Sequence, residues 1–286
     1  MSGAVANLEA LPPLRQVIDQ FGLAAKKSLG QNFLLDLNLT RRIARAGGPL
    51  DDCHIIEIGP GPGGLTRALL LEGTRHVTAI ERDRRAIPAL EQIAAAADGR
   101  LTVVEGDALE IDQASLAEGA LPVRVVANLP YNIATPLLTR WVTPQAWPSW
   151  WRSLTLMFQR EVAERIIAKP GSRSYGRLSV LCGWRCTARI LFDVAPGAFT
   201  PPPKVTSSIV RLEPRPDAQR VPPGALEAVT AAAFGQRRKM LRSSLKSVLP
   251  SPEAALRELD IEPDLRAEAL AVADFVRIAQ LYSGRN

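Results

Sequence analysis

The sequence predicts an α/β fold: a mostly parallel sheet with an antiparallel edge, followed by a small all-α domain. Three observations predict it. Short apolar runs alternate with helix-patterned stretches between residues 53 and 158, the grammar of βαβ units around a parallel sheet. Two later apolar runs, 188–194 and 207–212, are separated by the proline-rich APGAFTPPPKV at 195–205, and prolines have no place in a central strand. Beyond residue 224 only helical patterns remain.

Taken in order, Leu14, Val17, Ile18 and Phe21 lie on one face of a helix that Gly22 ends. Residues 26–35 (KKSLGQNFLL) break that period and read as a loop with apolar anchors. A helix resumes over 38–46, and Gly47-Gly48-Pro49 stops it. Strands are expected at 53–58, 76–80, 101–104, 123–127 and 154–158, with crossovers at 65–71, 84–97 and 115–118. Residues 213–224, rich in Pro, Asp and Arg, read as a linker. Domains are therefore expected at 1–212 and 213–286, the second built from helices over 225–248, 252–260 and 265–282.

At 286 residues the chain is long enough for this arrangement. No apolar run approaches the roughly 18 residues of a membrane span. The first residues lack the basic-then-apolar pattern of a secretory signal, and three scattered cysteines form no disulfide framework. A cytoplasmic protein is expected. The net charge of +6 is uneven. Residues 1–120 carry 12 basic and 16 acidic side chains, residues 121–212 carry 12 and 3, and residues 213–286 carry 11 and 10. The +9 middle segment suits a polyanion such as a nucleic acid, or is a solvated basic face.

The expected strand at 53–58 runs into Gly59-Pro60-Gly61-Pro62-Gly63-Gly64. Gly59, Gly61 and Gly64 match a dinucleotide-binding spacing, and Glu81 after the next strand is placed to take ribose hydroxyls. Both features say "nucleoside cofactor on a Rossmann-like sheet" without choosing one. Three details favour S-adenosylmethionine over NAD. Glu57 suits a cationic amino-acid sulfonium, the two prolines stiffen a loop that need not wrap a pyrophosphate, and Asp107 could accept from an adenine amino group.

The fourth strand ends in Asn128-Leu129-Pro130-Tyr131. In an open parallel sheet this tetrapeptide falls beside the cofactor. An Asn oxygen and a Pro-fixed carbonyl can accept from an exocyclic amino group, and the Tyr ring can stack on a base. The N6 nitrogen of adenine is a poor nucleophile because its lone pair is delocalised. Two acceptors on its hydrogens favour pyramidal geometry and stabilise the developing cation. A strand-to-turn junction would use Asn and Pro as well.

With these motifs stand KSLGQNFL at 27–34, EIGPGPGGLT at 57–66, GDA at 106–108, FQREVAERI at 158–166, YGRLSVL at 175–181, FTPPPKV at 199–205 and FGQRRKMLRSSL at 234–245. In that order the chain resembles the small-subunit ribosomal RNA adenine dimethyltransferases over about nine-tenths of its length. The resemblance implies a class I S-adenosylmethionine-dependent fold. It also implies transfer of four methyl groups to the N6 atoms of two adjacent adenosines. These lie in the loop of the 3′-terminal hairpin of 16S rRNA, in an assembling small subunit. It implies cofactor contacts at Asn32, Leu34, Gly59, Glu81, Asp107 and Asn128, and catalysis at Asn128, Leu129, Pro130 and Tyr131. A monomer without a metal or membrane partner is expected. The large-subunit rRNA methyltransferases of antibiotic resistance share the glycine loop and a similar tetrapeptide. One departure is Thr206, where the family usually has Asp after Pro-Lys-Val.

Arg237, Arg238, Lys239, Arg242 and Lys246 fall within one expected helix and suit phosphate contacts, or form a solvated face. Phe158 could close a base pocket or lie in the core. Trp141, Trp147, Trp150 and Trp151 read as core and cover. Cys182 and Cys186 lack the further ligands a zinc site needs. His54 and His76 read as structural. Two other classes compete: a non-catalytic RNA-binding assembly factor on the same fold, and a nicotinamide dehydrogenase. The first has no use for an intact acceptor set; the second lacks an evident proton donor.

Overall fold

The computed structural model describes residues 2–26, 29–117, 119 and 121–284. The strands are β1 (Phe33–Leu34), β2 (His54–Ile58), β3 (His76–Glu81), β4 (Leu101–Glu105), β5 (Val123–Ala127), β6 (Ser153–Gln159), β7 (Cys186–Val194), β8 (Phe199–Thr200) and β9 (Ser207–Pro214). Seven of them hydrogen-bond in the order β4-β3-β2-β5-β6-β9-β7, and β1 pairs with β8. Neighbours from β4 to β6 run parallel, and β9 returns antiparallel to β6. The fold is the expected α/β sheet with an antiparallel strand near its edge.

Why these segments pair is plain from their composition. Ile55, Ile56, Val77, Ala79, Val125 and Val126 are fully buried, and β-branched residues fit a pleated surface covered on both faces. The chain runs outward from β2 through β3 to β4, then returns to β5 on the other side of β2. The switch point between β2 and β5 is where such a sheet opens a crevice. Register aligns the strand ends: Ile58 is level with Ile80, and Ile80 with Val104.

Around the sheet come α1 (Ser2–Glu9), α2 (Leu14–Gln20), α3 (Leu37–Ala46), α4 (Gly64–Leu71), α5 (Ile87–Ala96), α6 (Gln113–Leu116), α7 (Tyr131–Val142), α8 (Arg160–Ile167) and α9 (Arg177–Arg185). Asp36 caps α3 by accepting from the Asn38 N–H at 2.8 Å. Its other end is held by cations. Arg124 donates to the Gly47 carbonyl at 2.7 Å and Arg211 to the Ala46 carbonyl at 3.1 Å, which satisfies a helix C-terminus. Gly48 has φ +89, and a Cβ there would meet Arg124 Nη1 at 2.5 Å. The expected loop at 26–35 contains the short β1, and Lys27 and Ser28 lie outside the described residues, as does Glu118 of the expected crossover at 115–118. Patterning did not reveal α7, α8 or α9. Pro136 sits inside α7, where it reads as a breaker.

The chain divides into two compact units: Met1–Leu137, Trp150–Arg160 and Ile190–Leu212 form one, and Leu138–Ser149, Glu161–Arg189 and Glu213–Asn286 the other. The second unit therefore takes in more than the 213–286 segment. In it, α9 packs against α10 (Pro223–Gly235) and α13 (Val272–Gly284), and Tyr175, Phe234 and Phe275 form a chain of ring contacts. Residues 213–224 are tied down rather than free. Trp147 Nε1 donates to the Arg215 carbonyl at 3.1 Å and Trp184 Nε1 to the Gln219 carbonyl at 2.8 Å. Buried Arg185 lies against both indoles, with its guanidinium carbon 4.8 and 3.8 Å from the ring centroids.

The expected helix over 225–248 does not form as one piece. α10 ends at Gly235, residues 236–239 turn, and α11 (Leu241–Ser244) and a 3-10 turn at Leu245–Ser247 follow. The cause is a long-range bridge: Met240 pairs antiparallel with Arg266, and the Leu241 N–H donates to the Leu265 carbonyl at 2.8 Å. The same bridge keeps 265–266 extended, so the last helix, α13, starts at Val272, not at 265, after α12 (Pro252–Glu258).

His54 and His76 are level on β2 and β3, their rings edge-to-face at 5.1 Å. Their Nε2 atoms meet Thr78 Oγ1 at 2.8 Å and Thr102 Oγ1 at 3.0 Å. Burial lowers both pKa values, and for His54 the neighbouring His76 lowers it further. A base whose folded pKa is depressed contributes stability that is present above its unfolded pKa and lost as pH falls below it. The stability difference between wild type and the H54Q/H76Q variant should therefore shift against the wild type from about pH 8 to about pH 5. Urea unfolding across that range checks it; a flat difference would contradict the neutral-imidazole assignment.

Candidate functional site

A cleft of about 1030 Å³, partly open to solvent, is lined by the segments that follow β2, β3, β4 and β5. Asn32, Leu34, Gly59, Glu81, Asp107 and Asn128 all line it, and so do Leu129, Pro130 and Tyr131. Its floor is the glycine loop. Gly59, Gly61 and Gly63 have φ of +66, +54 and +83, conformations that glycine adopts without strain. Space is as restricted as geometry. A Cβ at Gly61 would meet Phe33 Cε1 at 2.9 Å, and one at Gly63 would meet Ile93 Cδ1 at 2.1 Å.

The acids differ in how they are satisfied. Glu57 is fully buried and accepts from Thr66 Oγ1 at 2.7 Å. Burial pushes its pKa up to about 8, against the Thr66 bond and with help from nearby Glu81. Glu81 accepts from the Gly61 N–H at 2.9 Å and the Asp83 N–H at 2.7 Å, one on each oxygen. Burial raises its pKa as well, against these backbone bonds. Lone pairs that the backbone bonds leave free can accept from a hydroxyl. Asp107 accepts from the Leu109 N–H at 2.9 Å and pairs with Arg82 at 3.0 Å. A buried carboxyl without a paired cation is costly to ionise, so a ligand that brings a positive group to Glu57 and ribose hydroxyls to Glu81 fits these acceptors.

On the β5 side, Asn128 Nδ2 donates to the Asn32 carbonyl at 3.2 Å, which leaves its Oδ1 as an acceptor toward the cleft. Pro130 offers no free carbonyl, since its oxygen accepts from the Ile133 and Ala134 N–H groups at 3.1 Å. The carbonyl available beside it is that of Leu129. Tyr131 opens α7, and its hydroxyl meets buried Ser207 Oγ at 2.6 Å. Phe158 does not line the cleft; it is buried in the core. Trp141 and Trp151 are buried too, whereas Trp147 and Trp150 are half-buried. Thr206 uses its backbone carbonyl to accept from the Arg160 N–H at 2.9 Å.

In the second unit, Arg237, Arg238 and Lys239 occupy an exposed turn rather than a helix. Arg237 donates to the Arg173 carbonyl, and Arg242 pairs with Asp264 at 2.7 Å. The Met240–Arg266 bridge adds a cation, exposed Arg266, that lies far from the others in sequence. Sequence spacing carried no signal for Arg266, Ser207 or Arg82. Among the described residues no group of three or more His, Cys, Asp or Glu is arranged to hold a metal. Cys53, Cys182 and Cys186 are free and buried. No described helix is long and apolar enough to cross a membrane.

Residues 22–283 match the family model described as ribosomal RNA adenine dimethylase. The chain is 62% identical over 274 residues to a ribosomal RNA small subunit methyltransferase A of Chelativorans sp. (strain BNC1), covering 96% of this chain and 99% of the relative. A relative with the same description from Sinorhizobium fredii is 60% identical over 280 residues, covering 98% of this chain and 93% of that one. Among solved structures, a dimethyladenosine transferase from Plasmodium falciparum shares the fold with a TM-score of 0.74 at 24% identity, over 87% of this chain and 97% of that one. The 23S rRNA methyltransferase ErmE shares it at 0.65 and 24%, over 88% and 100%.

Glu57 gives a test of the site's electrostatics that needs no ligand. A carboxyl with a raised folded pKa favours the fold below its unfolded pKa, and that stability is lost as pH rises toward the folded value. Glu57→Gln should therefore match wild type near about pH 5 and become the more stable chain near about pH 8. Urea unfolding of the cofactor-free protein measures it. A constant gap between the two would mean that Glu57 is already ionised.

Proposed function

Because the chain belongs to the ribosomal RNA adenine dimethylase family, we infer that it methylates N6 of adenines in small-subunit rRNA with S-adenosylmethionine. The finer reading is that it dimethylates two adjacent adenosines in the loop of the 3′-terminal hairpin of 16S rRNA. It would act as a monomer on an assembling subunit in the cytoplasm. The observation that carries this reading is a single cleft in which buried Glu57 and Glu81 share walls with Asn128, Leu129 and Tyr131.

S-adenosylmethionine would supply a methyl group on a sulfonium, whose neutral thioether leaves without help from a Lewis acid, so the reading assigns no metal. Glu57 and Glu81 hold the amino-acid and ribose ends, with Asp107 at the adenine edge and Asn32, Leu34 and Gly59 as further contacts. Asn128 Oδ1 and the Leu129 carbonyl accept from the target amino group. That bias toward pyramidal nitrogen frees its lone pair and stabilises the cation as it forms. Pro130 fixes the turn, and Tyr131 stacks on the base. Proximity and orientation supply most of the acceleration. The product N6 cation is acidic enough to give its proton to water, so no strong general base is needed. Arg237, Arg238, Lys239 and Arg242 contact phosphates, positioning the RNA rather than reading it.

Asn128→Ala should lower methyl transfer by about a hundredfold or more while leaving RNA binding within about twofold. Radiolabelled methyl incorporation and filter binding on immature small subunits measure the two. Transfer at the wild-type rate would refute the role of Asn128. Neutralising Arg237, Arg238 and Lys239 together should weaken subunit binding and flatten its logarithmic salt dependence by about 2–3. A salt slope equal to that of wild type would mark the turn as a solvated face.

A further inference from the structure

Residues 29–34 form one wall of the cleft, yet they are not part of the central sheet. Phe33 and Leu34 are held by the β1–β8 pairing. The residues before them are held by backbone bonds from the Leu29 and Gln31 N–H groups to the Lys26 carbonyl, at 3.1 and 3.4 Å, and by side chains. Gln31 is cinched from both ends: its Oε1 accepts from the Lys26 N–H at 2.9 Å, and its Nε2 donates to Asp83 Oδ2 at 3.0 Å. Asp83 is buried, and Arg85 grips it through Nε at 3.0 Å and Nη2 at 2.6 Å. Arg85 also donates to the Gly22 carbonyl at 3.0 Å and the Ala24 carbonyl at 3.3 Å. The same Asp83 donates its N–H to Glu81. Asp83 thus ties the wall to the acid assigned to the ribose, its carboxylate bonding Gln31 and its N–H bonding Glu81, while Arg85 carries the same carboxylate to residues 22 and 24. Arg85 holds the Asp83 carboxyl down, at a pKa of about 2, so it is charged at any working pH.

We propose that Gln31 and Asp83 are positioning residues that pin the 29–34 wall against the cofactor and set the residence time of S-adenosylmethionine. This rests on the cofactor reading given above. Neither side chain is assigned a contact with the reacting atoms. The next residue, Asn32, presents the carbonyl that receives Asn128 Nδ2, so the clasp also supports the amide that faces the target.

Gln31→Glu is nearly isosteric and replaces a donor to Asp83 with a second carboxylate. It should speed S-adenosylmethionine dissociation about tenfold or more, since a charge-assisted bond becomes a repulsion. It should raise KM for S-adenosylmethionine with a smaller change in kcat. Asp83→Asn should act in the same direction. The double variant Q31E/D83N restores a donor–acceptor pair and should hold the cofactor longer than Q31E alone. That rescue would not follow from a general loss of folding. Dissociation of labelled S-adenosylmethionine, chased with unlabelled, gives the rates. Amide hydrogen exchange of residues 29–34 in the free protein gives a ligand-independent readout, faster in Q31E. Wild-type dissociation and exchange in Q31E would overturn the clasp. A wild-type chain that holds no S-adenosylmethionine would overturn the cofactor reading, and the exchange comparison would still decide whether the clasp exists.

Discussion

The parallel ladder β3–β2–β5 is the constraint on which the rest depends. Ile58 is level with Ile80 across β2 and β3, and Ile56 with Val125 across β2 and β5. That register brings the ends of three strands, distant in sequence, to one edge. A slip of one residue would turn every side chain to the opposite face, burying apolar groups meant for one layer in another. The hydrophobic runs of β2, β3 and β5 therefore do more than stabilise. They fix where Gly59, Glu81 and Asn128 emerge, and the cleft follows from that alignment.

Burying acids at that edge conflicts with stability. Glu57 has Thr66 as its hydrogen-bond donor, and burial favours the neutral carboxyl. Glu81 and Asp107 keep backbone or cation partners. A site that is least comfortable where a cation is expected is consistent with local rules being broken for function. The glycines express the same tension in steric form. Gly61 is squeezed between its own φ of +54 and the ring of Phe33, so floor and wall must be built together.

The sheet was legible because its signal is local. Apolar runs of five or so residues between turn signals give strands directly, and the observed β2, β3, β4, β5 and β6 differ from expectation only at their ends. The glycine loop and the tetrapeptide were legible because each is contiguous. What failed was what depends on distant partners. The helix expected over 225–248 has a good periodicity, but the Met240–Arg266 bridge overrides it. α7 was hidden by Pro136. Asp83 and Ser207 carry no pattern, and Gln31, although inside KSLGQNFL, shows nothing of its partner; their meaning comes from partners fixed only by the fold.

The uneven charge of the chain takes a different meaning once side chains are placed. The segment 121–212 carries an excess of nine positive charges, which as a sequence looks like one basic face. Its residues are divided between the two compact units. Part of its charge is internal. Arg124 and Arg211 close the C-terminal end of α3, and Arg185 is buried against two indoles. Arg160, Arg165 and Arg177 pair with Asp193, Glu161 and Glu227. Cations held in this way contribute little to counterion release, because they already have partners. The exposed turn at Arg237, Arg238 and Lys239, with Arg266 bridged beside it, lies in the segment whose net charge is only +1. Exposure, rather than summed charge, therefore sets this turn apart from the buried and ion-paired cations of 121–212.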